Sequence, residues 1–169
     1  MSGHHTPERA VLGGAAAVGQ VIDASTSVSR AVRSRLGAAP PERLVHRSQA
    51  GVWSPLEYAA HLGEAVDWYA ERIQRIFRED HPRLRPYDWD RAAVVGRYSE
   101  RSADRVLAAL DRACRRLELL ASVLGPPELG AWCIGSDGTQ RTVGQLLARA
   151  VHELVRHEMD IRVGLAQLS

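Results

Sequence analysis

Three residues, His61, Glu153 and His157, could together bind a divalent metal ion. Imidazole nitrogens and carboxylate oxygens are ligands that zinc, nickel, iron and manganese all accept. Glu153 and His157 are four positions apart, so on a helix they lie on adjacent turns of one face. Three protein ligands leave coordination positions open, which is typical of catalytic rather than structural metal sites. The residue types therefore favour an open metal centre, provided that the fold brings them together.

The spacing of apolar residues places these three side chains on the inward faces of two predicted helices. At about 100° per residue, one apolar face is centred near Ala65, and His61 lies about 40° from that centre. The other face is centred on Ala150, with His157 about 20° and Glu153 about 60° away. A buried carboxylate without a cation is strongly disfavoured. The alternative is that Glu153 pairs with an arginine while the histidines only pack in the core, and the helical phase alone leaves both open.

Other polar and aromatic residues near the triad are weaker candidates. His152 is rotated about 160° and Arg156 about 120° from the centre of the apolar face, so both are expected at the surface. Glu64 lies one turn beyond His61 and could orient it or relay a proton as a catalytic residue, although a surface role is the simpler interpretation. Trp89 and Trp132 could line a cofactor pocket or only cap the core.

Four segments with helical spacing of apolar residues predict an all-α protein, a four-helix bundle. The first is expected from about Ala15, after a flexible N-terminus over residues 1–14, and residues 15–169 then form one domain. The second has the clearest start, with Ser54 as N-cap, Pro55 at the first helical position and Glu57 completing a capping box. The predicted segments span about 15–36, 54–77, 99 or 102 to 124, and 142–164. Residues 78–97 and 126–141 are predicted irregular, and the longer connection can travel the height of a bundle.

Composition and charge exclude several classes of function. The 169 residues carry 22 basic and 20 acidic side chains, a balance that argues against nucleic-acid binding. No apolar run approaches the ~20 residues of a membrane span, so no membrane partner is expected. Every basic residue is arginine, which excludes a Schiff-base or phosphate-loop lysine. Cys114 and Cys133 are too few for a disulfide framework, and the polar start resembles no signal peptide, so a cytoplasmic protein is predicted.

Several blocks of sequence, in this order, resemble the DinB-like superfamily. The blocks are Trp53-Ser54-Pro55-Leu56-Glu57-Tyr58-Ala59-Ala60-His61, Glu79-Asp80-His81-Pro82, Tyr87-Asp88-Trp89-Asp90, Ser136-Asp137-Gly138 before Thr142-Val143, and His152-Glu153-x-x-x-His157-x-x-Asp160-Ile161. The resemblance implies a four-helix bundle with up-down-down-up topology, in which the long connection between helices two and three makes the crossover. It also implies a divalent metal held by a triad at one end of the bundle.

Carried over residue by residue, the family's triad falls on His61, Glu153 and His157. Most members have three histidines, and the glutamate at position 153 is similar to the His/Glu/His set of mycothiol-dependent maleylpyruvate isomerases. The resemblance therefore implies a transferase or isomerase that activates a low-molecular-weight thiol such as mycothiol or bacillithiol. A divalent metal deprotonates a coordinated thiol near neutral pH, and the thiolate is the reactive form. Dimerisation is common for such bundles, so the sequence is consistent with a homodimer, but the oligomeric state stays open because no residue identifies an interface.

Three functions remain consistent with the sequence. The first is the metal-dependent thiol transferase or isomerase, with a small-molecule substrate and arginines that could hold an acidic group. The second is metal-dependent hydrolysis of a small molecule by metal-bound water, assisted by Glu153 or Glu64. The third is a non-catalytic stress or ligand-binding protein in which the triad is dispensable. Cys133, beside Trp132, could also be near the site, although a nucleophilic role is the less expected one.

The helical phase distinguishes two histidines that are close in sequence. We expect His157→Ala to abolish retention of a divalent metal, because the side chain points inward, and His152→Ala to leave it unchanged. Elemental analysis of protein that has been stripped of metal and reloaded makes the comparison. Equal loss in both variants would show that the predicted phase of this helix is wrong.

Overall fold

The protein is an all-α four-helix bundle, as the periodicity predicts. The computed structural model describes residues 7–167, with side-chain surroundings from residue 16 onward. The long helices are α1 (Pro7–Ala38), α3 (Pro55–Arg78), α5 (Ala103–Ser122) and α7 (Val143–Ala166). Three short helices lie between them: α2 (Pro41–Val45), α4 (Trp89–Val95) and α6 (Pro126–Gly130). Within the described residues, none of these helices combines the length and the apolar character that crossing a bilayer requires.

Helix ends follow the capping signals in the sequence. Ser54 caps α3, with its hydroxyl accepting from the Glu57 amide while the Glu57 carboxylate accepts from the Ser54 amide, so the predicted capping box is present. Thr142 and Gln145 form the same motif at the start of α7. Helix α1 begins at Pro7, earlier than the predicted start near Ala15. Residues 1–6 lie outside the described residues, and flexibility over residues 1–14 stays a prediction.

Each long helix packs against two others. Helix α1 contacts α5 and α7, and α3 contacts the same two helices, so α1 and α3 lie on opposite sides of the bundle. The cross-helix contacts that give relative directions are Gly63 with Leu110, Gln74 with Arg116, His61 with His157, Pro55 with Gly164, Thr26 with Glu118, and Ser29 with Asp111. By these contacts α3 runs parallel to α5 and antiparallel to α7, and α1 runs antiparallel to α5. The directions agree with the up-down-down-up order that the resemblance implies.

A close approach of α3 to α5 depends on a glycine. A Cβ on Gly63 would lie 3.3 Å from the backbone nitrogen of Leu110, which is tighter than ordinary contact. Leu62 and Leu110 are fully buried at this contact, and Ile73 and Leu117 are fully buried farther along the same two helices. The core therefore reaches to within two positions of His61 and holds α3 firmly against its neighbours.

The two irregular segments contain more structure than their sequences indicate. Residues 126–141 were expected to be irregular, but they contain α6 and part of a two-stranded antiparallel hairpin, β1 (Trp132–Ile134) and β2 (Gln140–Thr142). The strands are three residues long, too short to show an alternating pattern. The connection from α3 to α5 contains α4 and is joined to the hairpin, because the Leu84 amide donates to the Ile134 carbonyl at 2.7 Å.

The capping box of α3 gives a test of stability. We expect Ser54→Ala to lower the free energy of unfolding by about 1 kcal/mol, because a buried hydroxyl no longer satisfies the Glu57 amide. Urea unfolding measures the change. Ser122→Ala is the control, since its exposed hydroxyl only donates to the Leu119 carbonyl of its own helix, and an equal loss in both variants would contradict the capping argument.

Candidate metal centre

His61, Glu153 and His157 converge between α3 and α7, as the helical phase predicts. Each offers one ligand atom, and these three atoms all lie within 4.8 Å of one another. The two histidines are buried and Glu153 is half-buried. His61 comes from the second turn of α3, and the other two come from consecutive turns of the antiparallel helix α7. The three groups are therefore close enough to share one cation.

Aromatic rings surround His61. Its ring contacts Trp53 at 5.0 Å and meets Trp89 and His157 edge-on at 4.7 and 4.6 Å between centroids. Burial lowers the pKa of His61 to about 4, and the positive charge of His157 adds to this effect. The side chain is therefore neutral at pH 7, the form that binds metals. Its buried Nδ1 has no hydrogen-bond partner among the described residues.

Two carboxylates flank the ring of His157. Nδ1 lies 2.8 Å from Oδ2 of Asp160, and Nε2 lies 3.0 Å from Oε2 of Glu153. Tyr58 stacks on the ring, with centroids 5.5 Å apart and planes 28° from parallel. Because a carboxylate accepts, Nδ1 donates to Asp160, which orients the ring and directs Nε2 towards Glu153 and the centre of the site.

Asp160 contacts His157 of the candidate site, and the sequence reasoning missed this contact. It lies three positions after His157, so the i, i+3 spacing places both on one helix face. The signal was available in the sequence, because metal-bound histidines usually donate their second nitrogen to a carboxylate or carbonyl.

Glu153 interacts with histidine rather than with arginine. The hydrogen bond with His157 lowers the pKa of Glu153 below its usual value, against the opposing effect of burial. The ion pair that Glu153 forms in this structure is therefore with His157, and not with an arginine as the alternative prediction had it. The charged form of the carboxylate is favoured, which is the form that binds a metal ion.

The structure places the remaining candidates at different distances from the triad. Trp89 contacts His61 directly, whereas Trp132 stacks on His81 with centroids 3.6 Å apart. Glu64 accepts from the Tyr98 hydroxyl at 2.5 Å and from Arg101 at 2.8 Å, so it faces α5 and its connection instead of His61. The catalytic role of Glu64 and the cofactor-binding role of Trp132 stay predictions.

The outward residues and the cysteines lie apart from the three ligands. His152 and Arg156 are exposed, as their helical phase predicts. Cys114 is buried in α5, where burial raises the pKa of its thiol to about 12. Cys133 is buried in the hairpin with Sγ 3.6 Å from the Arg141 carbonyl, and burial raises its pKa as well. A raised pKa disfavours the reactive thiolate.

Known proteins are similar to this chain in sequence pattern and in fold. The profile of the DinB superfamily matches residues 26–159. Among solved structures, YfiT from Bacillus subtilis, described as a probable metal-dependent hydrolase with an unusual four-helix bundle topology, is similar with a TM-score of 0.81. The two chains are 17% identical over 89% of this chain and 87% of that one, so the likeness establishes the fold alone. No curated protein matches this sequence significantly.

The contact between His157 and Asp160 predicts an effect on metal affinity. We expect Asp160→Ala to weaken zinc binding about 10-fold or more, because the ring of His157 loses the acceptor that orients it. Competition with a chromophoric chelator measures the affinity. Glu158→Ala is the matched control on the same helix, since Glu158 instead accepts from Arg35; unchanged zinc affinity in Asp160→Ala would show that the acceptor is dispensable.

Proposed function

Because the chain belongs to the DinB superfamily, we propose that it is an enzyme in which His61, Glu153 and His157 hold a divalent metal ion. The observation that carries the proposal is the convergence of two imidazoles and one carboxylate in an otherwise aromatic environment. The set contains three protein ligands, which matches a centre that keeps a position for a reactant.

The donor chemistry of the three residues fits a divalent ion. With Nδ1 donating to Asp160, a metal ion that replaced the Nε2 proton of His157 would meet a nitrogen lone pair and a carboxylate oxygen of Glu153 that lie 3.0 Å apart. A lone pair and a carboxylate repel one another, and a shared cation would compensate both. The buried Nδ1 of His61 has no hydrogen-bond partner among the described residues that would compete with a metal bond at this atom. Imidazole and carboxylate together suit zinc, nickel, iron or manganese.

We further propose that the reactant held there is a low-molecular-weight thiol of the mycothiol type, used for transfer or isomerisation. A divalent ion would supply positive charge that favours the thiolate over the thiol. The thiol would come from a small molecule rather than from the protein, because Cys114 and Cys133 are buried and their raised pKa values disfavour the thiolate. One carboxylate and two neutral imidazoles leave a divalent centre with net positive charge, which favours an anionic fourth ligand.

The chain's own residues would orient the ligands and exclude water. Asp160 fixes the ring of His157, and Tyr58 covers one of its faces. Trp53 and Trp89 shield His61 from solvent, which strengthens electrostatic interactions inside the site. Glu153 would bind the metal ion through a charged carboxylate oxygen, which in this structure lies 3.0 Å from Nε2 of His157.

Metal-dependent hydrolysis is the second candidate, favoured by the description of YfiT as a probable metal-dependent hydrolase. Hydrolysis is helped by a carboxylate that accepts a proton from water. Around the described triad, Asp160 is bonded to His157, and Glu64 already accepts from Tyr98 and Arg101. These existing partners leave Glu153 as the nearby carboxylate for that role, and it is also a proposed ligand. The thiol reaction needs no such base once the thiolate has formed.

Thiol dependence separates the two candidates experimentally. We expect metal-loaded protein to couple mycothiol or bacillithiol to a chlorinated nitrobenzene, because a thiolate displaces chloride from an electron-poor ring. Absorbance of the conjugate measures the rate. The rate should fall to background in metal-stripped protein and in His157→Ala, while His152→Ala and Cys133→Ser should retain it.

A parallel assay identifies the alternatives. Hydrolysis of 4-nitrophenyl acetate that requires metal but no thiol, without any conjugate formation, would overturn the thiol proposal in favour of a hydrolase. No turnover in either assay by protein that retains its metal would favour a non-catalytic binding protein. Full coupling by His157→Ala would contradict the assignment of this residue as a ligand.

A further inference from the structure

A cavity of about 260 Å³ is lined by three arginines and shares one wall, the ring of Trp89, with the surroundings of His61. Its walls include Arg85, Arg141 and Arg149 together with the rings of Tyr69, Tyr87 and Trp89. The arginines come from three separate parts of the chain: the connection after α3, strand β2 and helix α7. Three guanidinium groups thus lie around one cavity, and their combined positive charge favours a negatively charged ligand there.

No acidic side chain is among the residues that line this cavity. Arg141 has a carboxylate partner, Asp137, which is exposed and outside the lining. A larger cavity between α3 and α5, of about 700 Å³, shows the contrast. There three of the four lining arginines, Arg72, Arg101 and Arg116, are paired with carboxylates that also line the cavity, as Arg101 is with Glu64 at 2.8 Å. The lining of the smaller cavity has three arginines and no acid, whereas that of the larger one has four arginines and three acids, so the excess of positive charge is greater in the smaller cavity.

Two aromatic residues join the arginine-lined cavity to the triad. Trp89 forms a wall of the cavity, and the same ring meets His61 edge-on at 4.7 Å. Tyr69 also lines it, and burial and the nearby charge of Glu153 raise the pKa of Tyr69, while Arg149 and Arg141 oppose that rise. The charges of Glu153, Arg149 and Arg141 thus act on one hydroxyl. The cavity and the triad are neighbouring parts of one site.

We propose that this cavity binds the carboxylate of a small planar substrate whose reactive part faces the triad; the inference rests on the enzymatic function proposed above. Guanidinium groups bind carboxylates through paired, charge-assisted hydrogen bonds. A carboxylate conjugated to a ring or double bond is flat and can lie against an aromatic wall, here formed by Tyr87 and Trp89, whose rings contact each other with centroids 4.4 Å apart. The volume suits one small compound or the acidic end of a larger one.

Benzoate is a suitable probe, because it is flat and singly charged, and benzamide has nearly the same shape without the charge. We expect isothermal titration of the protein to show binding of benzoate and weaker or undetectable binding of benzamide. Arg149→Ala and Arg141→Ala should each weaken benzoate binding about 10- to 100-fold, the range for losing a hydrogen bond to a charged group. Arg149→Lys keeps the positive charge but loses the planar guanidinium group, so its affinity for benzoate should lie between that of the alanine variants and that of the unaltered protein.

Arg156→Ala is the matched control. Arg156 is exposed on the same helix, and its charge lowers the pKa of both His61 and Glu153, but it does not line the cavity. If Arg156→Ala lost as much benzoate binding as Arg149→Ala, the proposal would be overturned. Such a result would show that benzoate responds to the total positive charge of the surrounding surface and not to the cavity arginines. Equal affinity of Arg149→Ala and the unaltered protein would overturn it too, as would equal binding of benzoate and benzamide.

The titration is made on metal-stripped protein, so its result is independent of the proposed enzymatic activity. Benzoate binding that depends on Arg149 and Arg141, in a protein without thiol transfer, would support the subsite and contradict the thiol proposal alone. Thiol transfer in a protein that does not bind benzoate would contradict the subsite alone. Circular dichroism of each variant confirms that the helices are intact; Arg149 is exposed, so its replacement leaves no cavity in the core.

Discussion

The site depends on the contact between His61 and His157 across the antiparallel helices α3 and α7. The rings meet edge-on with centroids 4.6 Å apart, and neither residue is more than 6% exposed. Two buried imidazoles this close to one another are disfavoured unless other groups compensate them. Glu153 and Asp160 provide that compensation on either side of His157, and three aromatic rings pack around the pair. His61, Glu153, His157 and Asp160 thus form one polar cluster, in which the carboxylates offset the cost of burying the imidazoles.

The long connection follows from the directions of the helices. Because α3 and α5 run parallel, the chain must return along the whole bundle between them. On its way it contributes Leu84, hydrogen-bonded to the hairpin, and Trp89, packed on His61. The connection that the topology requires therefore also supplies a wall of the site.

Helical phase was enough to identify the three ligand candidates, since His61 and His157 lie near the centres of strongly amphipathic faces. The outward position of His152 and the capping boxes of α3 and α7 followed from equally local rules. Contacts between distant segments could not be predicted in this way. Nothing local distinguishes Trp89, which touches His61, from Trp132, which stacks on His81, or shows that Glu64 pairs with Tyr98 and Arg101. The short hairpin was missed because three-residue strands carry too little pattern.

The ligand candidates and the cavity walls belong to different parts of the chain. His61, Glu153 and His157 are fixed on long helices of the core, whereas Arg85, Trp89 and Arg141 lie on the crossover connection and the hairpin, which are bonded to each other through Leu84 and Ile134. Insertions and substitutions in these joined segments alter the walls while the helices retain their packing. Evolution can therefore change what such a protein recognises without rebuilding the chemical centre, and recombining these two segments between relatives is a practical route to altered selectivity.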